Sequence, residues 1–160
     1  MFRIVLIIFI FFKSNVYAED IKCNFEEIYN DGSIQEGYIL LKNDKLSYQY
    51  QDEKLFTIFF DSNNFYSVNN SNKSTINKIT ENVEILEEII LLAKNYPNIK
   101  SEYNKEEFLI KLEKSISNNF YKRISIISQN IKVSVFFYNC SFENLDNEYF
   151  SFRSFLELNQ

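Results

Sequence analysis

The side chains able to do chemistry in this chain are few and of restricted type. Cys23 and Cys140 are its two thiols, and it contains no histidine. Without imidazole there is no Ser-His-Asp or Cys-His pair, no imidazole metal ligand and no ordinary proton shuttle near neutral pH. Asp31, Asp44, Asp52, Glu53 and Asp61 fall at the ends of alternating segments, where solvated turn residues are the plainer reading. None of them shows the regular ligand spacing of a calcium loop. The expectation is therefore a protein that is not an enzyme and carries no cofactor or metal. What distinguishes the chain is its aromatic content of 18%, from 11 tyrosines and 17 phenylalanines. Such residues either fill a core or line an apolar binding surface.

The first residues set the compartment. Arg3 is followed by an apolar run over 4–12, then Lys13-Ser14-Asn15 and Val16-Tyr17-Ala18. This is the charge, apolar core and cleavage pattern of a signal peptide over 1–18, with a mature chain beginning at Glu19. The apolar run falls far short of the ~20 residues that cross a hydrocarbon core. Asp20-Ile21-Lys22 before Cys23 is no lipobox. In an oxidising compartment Cys23 and Cys140 are candidates for a disulfide, which over so long a loop would contribute roughly 4 to 5 kcal/mol. The other reading is two buried free thiols acting as small hydrophobes.

Residues 19–160 suit one domain with its own core. Arg3 and Lys13 take two of the 17 basic residues, leaving 15 against 22 acidic ones and a net charge of −7. That sign, with no basic cluster, argues against nucleic acid or anionic headgroups as partners. The skew toward Ile, Asn, Lys and Phe reads as the bias of an AT-rich genome.

Most of the mature chain has a period of two, the mark of half-buried strands. Leu46, Tyr48 and Tyr50 alternate with Ser47, Gln49 and Gln51, placing apolar groups on one face and polar groups on the other. Further strands are expected over 21–29, 34–41, 54–60, 65–68, 121–127, 131–142 and 149–155. Asn30-Asp31-Gly32 is a hairpin turn, and short polar turns at 42–45, 51–53 and 61–64 imply a meander of antiparallel strands. Residues 69–75 read as an exposed loop. Over 83–96 the period changes: Ile85, Leu86, Ile89, Ile90, Leu92 and Ala93 recur at three and four, opposite Glu84, Glu87, Glu88 and Lys94. This predicts an amphipathic helix, capped by Asn82 and ended by Pro97. Residues 104–116 fit both periods, with the helical pattern slightly ahead. One sheet covered by one modest helix leaves apolar surface for another layer, another chain or a ligand to meet. A plain core and a greasy cavity both answer that need.

The segment Phe25-Glu26-Glu27-Ile28-Tyr29-Asn30-Asp31-Gly32-Ser33-Ile34-Gln35-Glu36-Gly37-Tyr38 resembles the first hairpin of the periplasmic outer-membrane lipoprotein carrier family (LolA-like). Ile39-Leu40-Leu41-Lys42 and Leu46-Ser47-Tyr48-Gln49-Tyr50 resemble its next strands, and residues 59–68 its apolar strand, turn and aromatic strand. Residues 86–95 are similar to its lid helix, and 142–152 to its Asn-rich turn into a strand ending Phe-x-Phe. The chain departs from the family in three places. Only Glu19 and Asp20 stand where an amphipathic helix usually precedes the first strand, Asn43 and Asp44 replace a basic residue and proline, and no glycine occupies the turn at 62–63.

The resemblance implies a mainly β fold with some α: a strongly curved antiparallel sheet, an unclosed half-barrel, with a helical lid over its concave face. It makes 107–114 a strand. It implies a monomeric carrier in the periplasm of a Gram-negative bacterium, binding lipoprotein acyl chains. Cargo would come from an inner-membrane lipoprotein-releasing transporter and pass to an outer-membrane receptor. Placed on the local pattern, the lipid-binding cavity is expected between Leu46, Tyr48, Tyr50, Phe56 and Ile58 of the sheet and Ile85, Ile89 and Leu92 of the helix. The competing reading is a non-enzymatic envelope structural or adaptor protein with the same fold and a packed interior.

Overall fold

The computed structural model describes residues 20–61, 64–81, 83–117 and 119–152. The signal segment, Glu19, the cap residue Asn82 and the last residues of the expected strand at 149–155 lie outside the described residues. Alternation of apolar side chains between polar turns yields six strands in succession: β1 (Asp20–Tyr29), β2 (Ile34–Lys42), β3 (Lys45–Tyr50), β4 (Phe56–Asp61), β5 (Asn64–Asn69) and β6 (Ile76–Ile79). The helix α1 (Val83–Asn95) follows, then β7 (Glu102–Asn104), β8 (Phe108–Lys114), β9 (Tyr121–Ser128) and β10 (Lys132–Glu143). All ten strands form one antiparallel, unclosed sheet in the order β6-β5-β4-β3-β2-β1-β10-β9-β8-β7. Two meanders thus meet where β1 pairs with β10, and α1 connects their outer strands.

Turn chemistry places the strand ends. Gly32 takes φ +81° in the first hairpin, where the Gly32 amide donates to Tyr29 O. Asn43 holds the next turn at φ 50°, a left-handed conformation that asparagine tolerates. The Asp31 carboxylate accepts from the Ser33 amide and hydroxyl at 2.9 and 2.6 Å, and these bonds hold its carboxyl below the usual range. Asp52 accepts from the Lys54 amide at 2.8 Å, so β4 starts at Phe56 and not at residue 54.

The β1–β10 seam has an irregularity. Lys22 pairs with Ser141 and Asn24 with Tyr138, so Cys23 opposes both Asn139 and Cys140. Asn139 takes φ 51°, and the extra residue shifts side-chain alternation by one. Phe137, Cys140 and Phe142 consequently all join the apolar cluster despite their uneven spacing. Cys23 and Cys140 form a disulfide across this bulge, with Cα atoms 4.1 Å apart.

Both faces of the sheet are covered near β2 to β4. On one face Cys23, Phe25, Ile39, Leu41, Leu46, Tyr48, Ile58, Ile110, Ile124 and Val135 form a continuous core that includes Ile90 and Leu92 of α1. The other face departs from the expectation of a polar, solvated surface: Ser47 and Gln49 are buried there, as are Thr57 and Phe59. The chain after β10 covers it, with Leu145 and Phe150 packed against Leu40 and Tyr38. Gln49 stays satisfied by donating to Ser47 Oγ at 2.8 Å and accepting from the Tyr38 hydroxyl. The segment is fastened by Asp20 and Lys42, whose side chains pair at 3.0 Å while Asp20 accepts from the Leu145 amide and Lys42 donates to Leu145 O.

One further expectation needs correction, and one ambiguity is resolved. Residues 149–150 belong to a 3-10 turn, Asn147–Phe150, rather than to a strand over 149–155, because Phe150 anchors that covering segment instead of extending a sheet edge. The strand that the resemblance implies over 107–114 is present as β8, Phe108–Lys114, in place of the helix that the local pattern of 104–116 slightly favours. Ile110 and Leu112 are buried on one face and Lys111 is exposed on the other, so the two-residue period prevails over the local helical hint.

Candidate functional site

The eight residues expected around an apolar cavity are brought together with one exception. Register pairs Tyr48 with Ile58 and Leu46 with Phe60, which puts Leu46, Tyr48, Tyr50 and Ile58 on the same face. Leu46, Tyr48, Ile58 and Leu92 are buried, and Tyr50, Ile85 and Ile89 pack against the same cluster while partly exposed. Phe56 stands at its margin, 39% exposed, with its ring edge-on to Tyr50 at 5.5 Å. The helix also departs from its expected polar side: Glu88 is buried and pairs with Lys105 at 3.1 Å. It lies beside Leu92 on the wheel, at the boundary of the apolar stripe, where the β7–β8 connection covers it. Tyr121 ties the helix to the sheet by donating to Leu92 O at 2.8 Å.

An aromatic group organises the β1–β3 part of this face. Gly37 lies opposite Phe25 and Tyr50, and its missing side chain leaves room for the Phe25 ring. Phe25 stacks on Tyr48 at 4.1 Å, and Tyr50 meets both rings edge-on at 5.5 and 5.4 Å.

Beside these rings is a carboxylate that pattern reasoning passed over. Glu27 is only 7% exposed and belongs to the same phase of β1 as Cys23, Phe25 and Tyr29. Its Oε1 accepts from the Tyr48 hydroxyl at 2.6 Å, and its Oε2 from Tyr29 at 2.6 Å and Tyr50 at 2.9 Å. Among the described residues it forms no ion pair. The phenols respond to this setting. Burial first, and then hydrogen bonding to Glu27, pushes Tyr29 up to about 12. Burial and the Glu27 charge raise Tyr48 and Tyr50 well above the ordinary phenol range. The signal in the sequence was a charge on the inward phase of an otherwise apolar strand.

An open cleft of about 660 Å³ lies beside α1, lined by none of the eight residues expected around the cavity. Phe60, Ile90, Leu91 and Phe108 line it together with Glu84, Glu87, Glu106 and Glu107. Lys94 beside it is engaged by Asp44. Among the described residues no group of three or more carboxylates or thiols is placed to hold a metal. Nor is any described helix long and apolar enough to cross a membrane.

No protein-family model matches this chain, and no curated protein matches it.

Proposed function

We propose that this chain is a periplasmic carrier that binds lipoprotein acyl chains and ferries them toward the outer membrane. The observation that carries this reading is the apolar face of the unclosed sheet, whose cluster takes in Ile90 and Leu92 of α1. Ile85, Leu86, Ile89 and Ala93 pack against that face yet remain partly exposed. The polar ties of the helix are few: Tyr121 to Leu92 O, Glu88 to Lys105, and Lys94 to Asp44. In this reading α1 is a lid over the concave face of a curved half-barrel. Lifting it for a few kcal/mol exposes Leu46, Tyr48, Tyr50 and Ile58 to acyl chains. The pattern of residues 1–18 supplies a cleaved signal peptide, and the resemblance to lipoprotein carriers supplies the rest: a monomer, an inner-membrane releasing transporter as source and an outer-membrane receptor as destination.

A second reading has its own observation. Leu46, Tyr48, Ile58 and Leu92 are buried in one continuous cluster, as in an envelope structural or adaptor protein with a packed interior. Ile89→Asp separates the two. In a carrier the variant keeps a folded sheet and loses binding of a neutral fluorescent acyl probe at least tenfold. In a packed adaptor it puts a carboxylate against the apolar cluster and lowers the stability of the whole domain, and the wild type never binds the probe.

A further inference from the structure

We infer that Glu27, with Tyr29, Tyr48 and Tyr50, forms a head-group subsite that selects acyl cargo carrying a cationic or hydrogen-donating polar end and rejects cargo ending in an anion. The inference rests on the carrier reading and names the cargo class that the same site takes.

Position comes first. Leu46, Tyr48 and Tyr50 follow one another along the apolar face of β3, and the hydroxyls of the last two converge on Glu27. An acyl chain laid along that row therefore has the carboxylate at one end. Charge is the second point. The Glu27 carboxylate is nearly out of water and is held by three neutral donors with no cation among the described residues. A purely structural carboxylate at a buried site is ordinarily paired with a base. Here the charge is uncompensated, and the surroundings amplify its attraction for a donor. Capacity is the third. A carboxylate has about four lone-pair positions. Three are used, and Oε1 takes a single donor, so one position remains for an ammonium or hydroxyl. Access is the fourth, since Tyr29 and Tyr50 are only partly buried and Phe56 is exposed next to Tyr50. Their ring faces suit an organic cation on its way to the carboxylate.

The test uses three ligands with the same twelve-carbon acyl or alkyl tail: dodecylamine, monolauroylglycerol and dodecanoate, each below its aggregation concentration at pH 7. Titration calorimetry on the mature protein is expected to give the affinity order amine, glycerol ester, carboxylate. The gap between the ends should be tenfold or more and should collapse in Glu27→Gln. Glu87→Gln, which removes one charge from the cleft beside α1, should leave the order intact. Chemical shifts of the wild-type Tyr29, Tyr48 and Tyr50 rings serve where Glu27→Gln fails to fold. They should respond more to dodecylamine than to monolauroylglycerol. Equal affinities, tighter dodecanoate, an unchanged gap in Glu27→Gln, or no difference between the ring shifts overturns the head-group subsite and leaves the carrier standing. Absence of binding by all three ligands overturns the carrier reading and this inference together.

Discussion

A missing β-carbon decides how the aromatic residues around Glu27 pack. A methyl group at Gly37 would stand 2.0 Å from Gln49 O and 2.4 Å from Phe25 Cζ, and the first of these is backbone that cannot swing away. Gly37→Ala should therefore destabilise the domain by about 3 kcal/mol, the upper range for overpacking, visible as a lower urea midpoint. A midpoint within experimental error of wild type would contradict the packing described. Protonation adds a second residue-scale expectation. The folded state raises the Tyr29 phenol to about 12 and moves Tyr48 and Tyr50 in the same direction. Unfolded tyrosines release their protons near pH 10. Between about pH 10 and 12 the native state thus binds more protons than the unfolded one, and stability falls as pH rises. Urea midpoints should be level up to pH 9 and drop through this window, with phenolate absorbance appearing together with unfolding. A flat profile would contradict it. Little of this was legible beforehand. The aromatic residues stood out, but stacking on Gly37 and convergence on Glu27 depend on register, which pattern alone leaves free.

Elements were more legible than the contacts between them. The alternation of β3 and the three-four spacing of α1 were plain because each has one strongly apolar face. The β6 and β7 strands, at four and three residues, are too short for a period to emerge, and they went unread. The burial of Ser47 and Gln49 was hidden for another reason. The segment that covers them follows β10, nearly a hundred residues away, and small or amide side chains look solvent-facing until such a layer is placed on them. For the cysteines, the sequence left a bridge and two free thiols both open; adjacency of β1 and β10 supplies the missing distance. The bridge spans 117 positions and joins the strands where the bulge interrupts their ladder. Cys23→Ala with Cys140→Ala should cost roughly 4 kcal/mol, read by denaturant unfolding. Alkylation of unfolded, unreduced wild type should add no mass. Two alkyl groups on that sample would show that the bridge does not form.

At the scale of the whole molecule, the chain folds back so that its first and last strands form the middle of the sheet, while its middle supplies the two outer strands and the helix between them. Stability should be distributed accordingly. The centre holds the disulfide, the long β1–β10 and β1–β2 ladders and the buried rings of Phe25 and Phe137. The periphery has β6, β7 and α1, whose Lys94–Asp44 pair is open to water and contributes about 0 to 1 kcal/mol. A carrier needs that gradient, because the helix must leave the sheet without dissolving it. Hydrogen exchange reads it directly. Amides of 23–27 and 134–137 should exchange only through global unfolding, whereas those of 86–93 should exchange through an opening that is cheaper by a few kcal/mol and insensitive to moderate denaturant. Adding monolauroylglycerol should close that gap from below, since cargo held under the helix protects it. If 86–93 and the central strands share one opening free energy with and without the lipid, α1 is part of a single packed core. The adaptor reading would then replace the carrier.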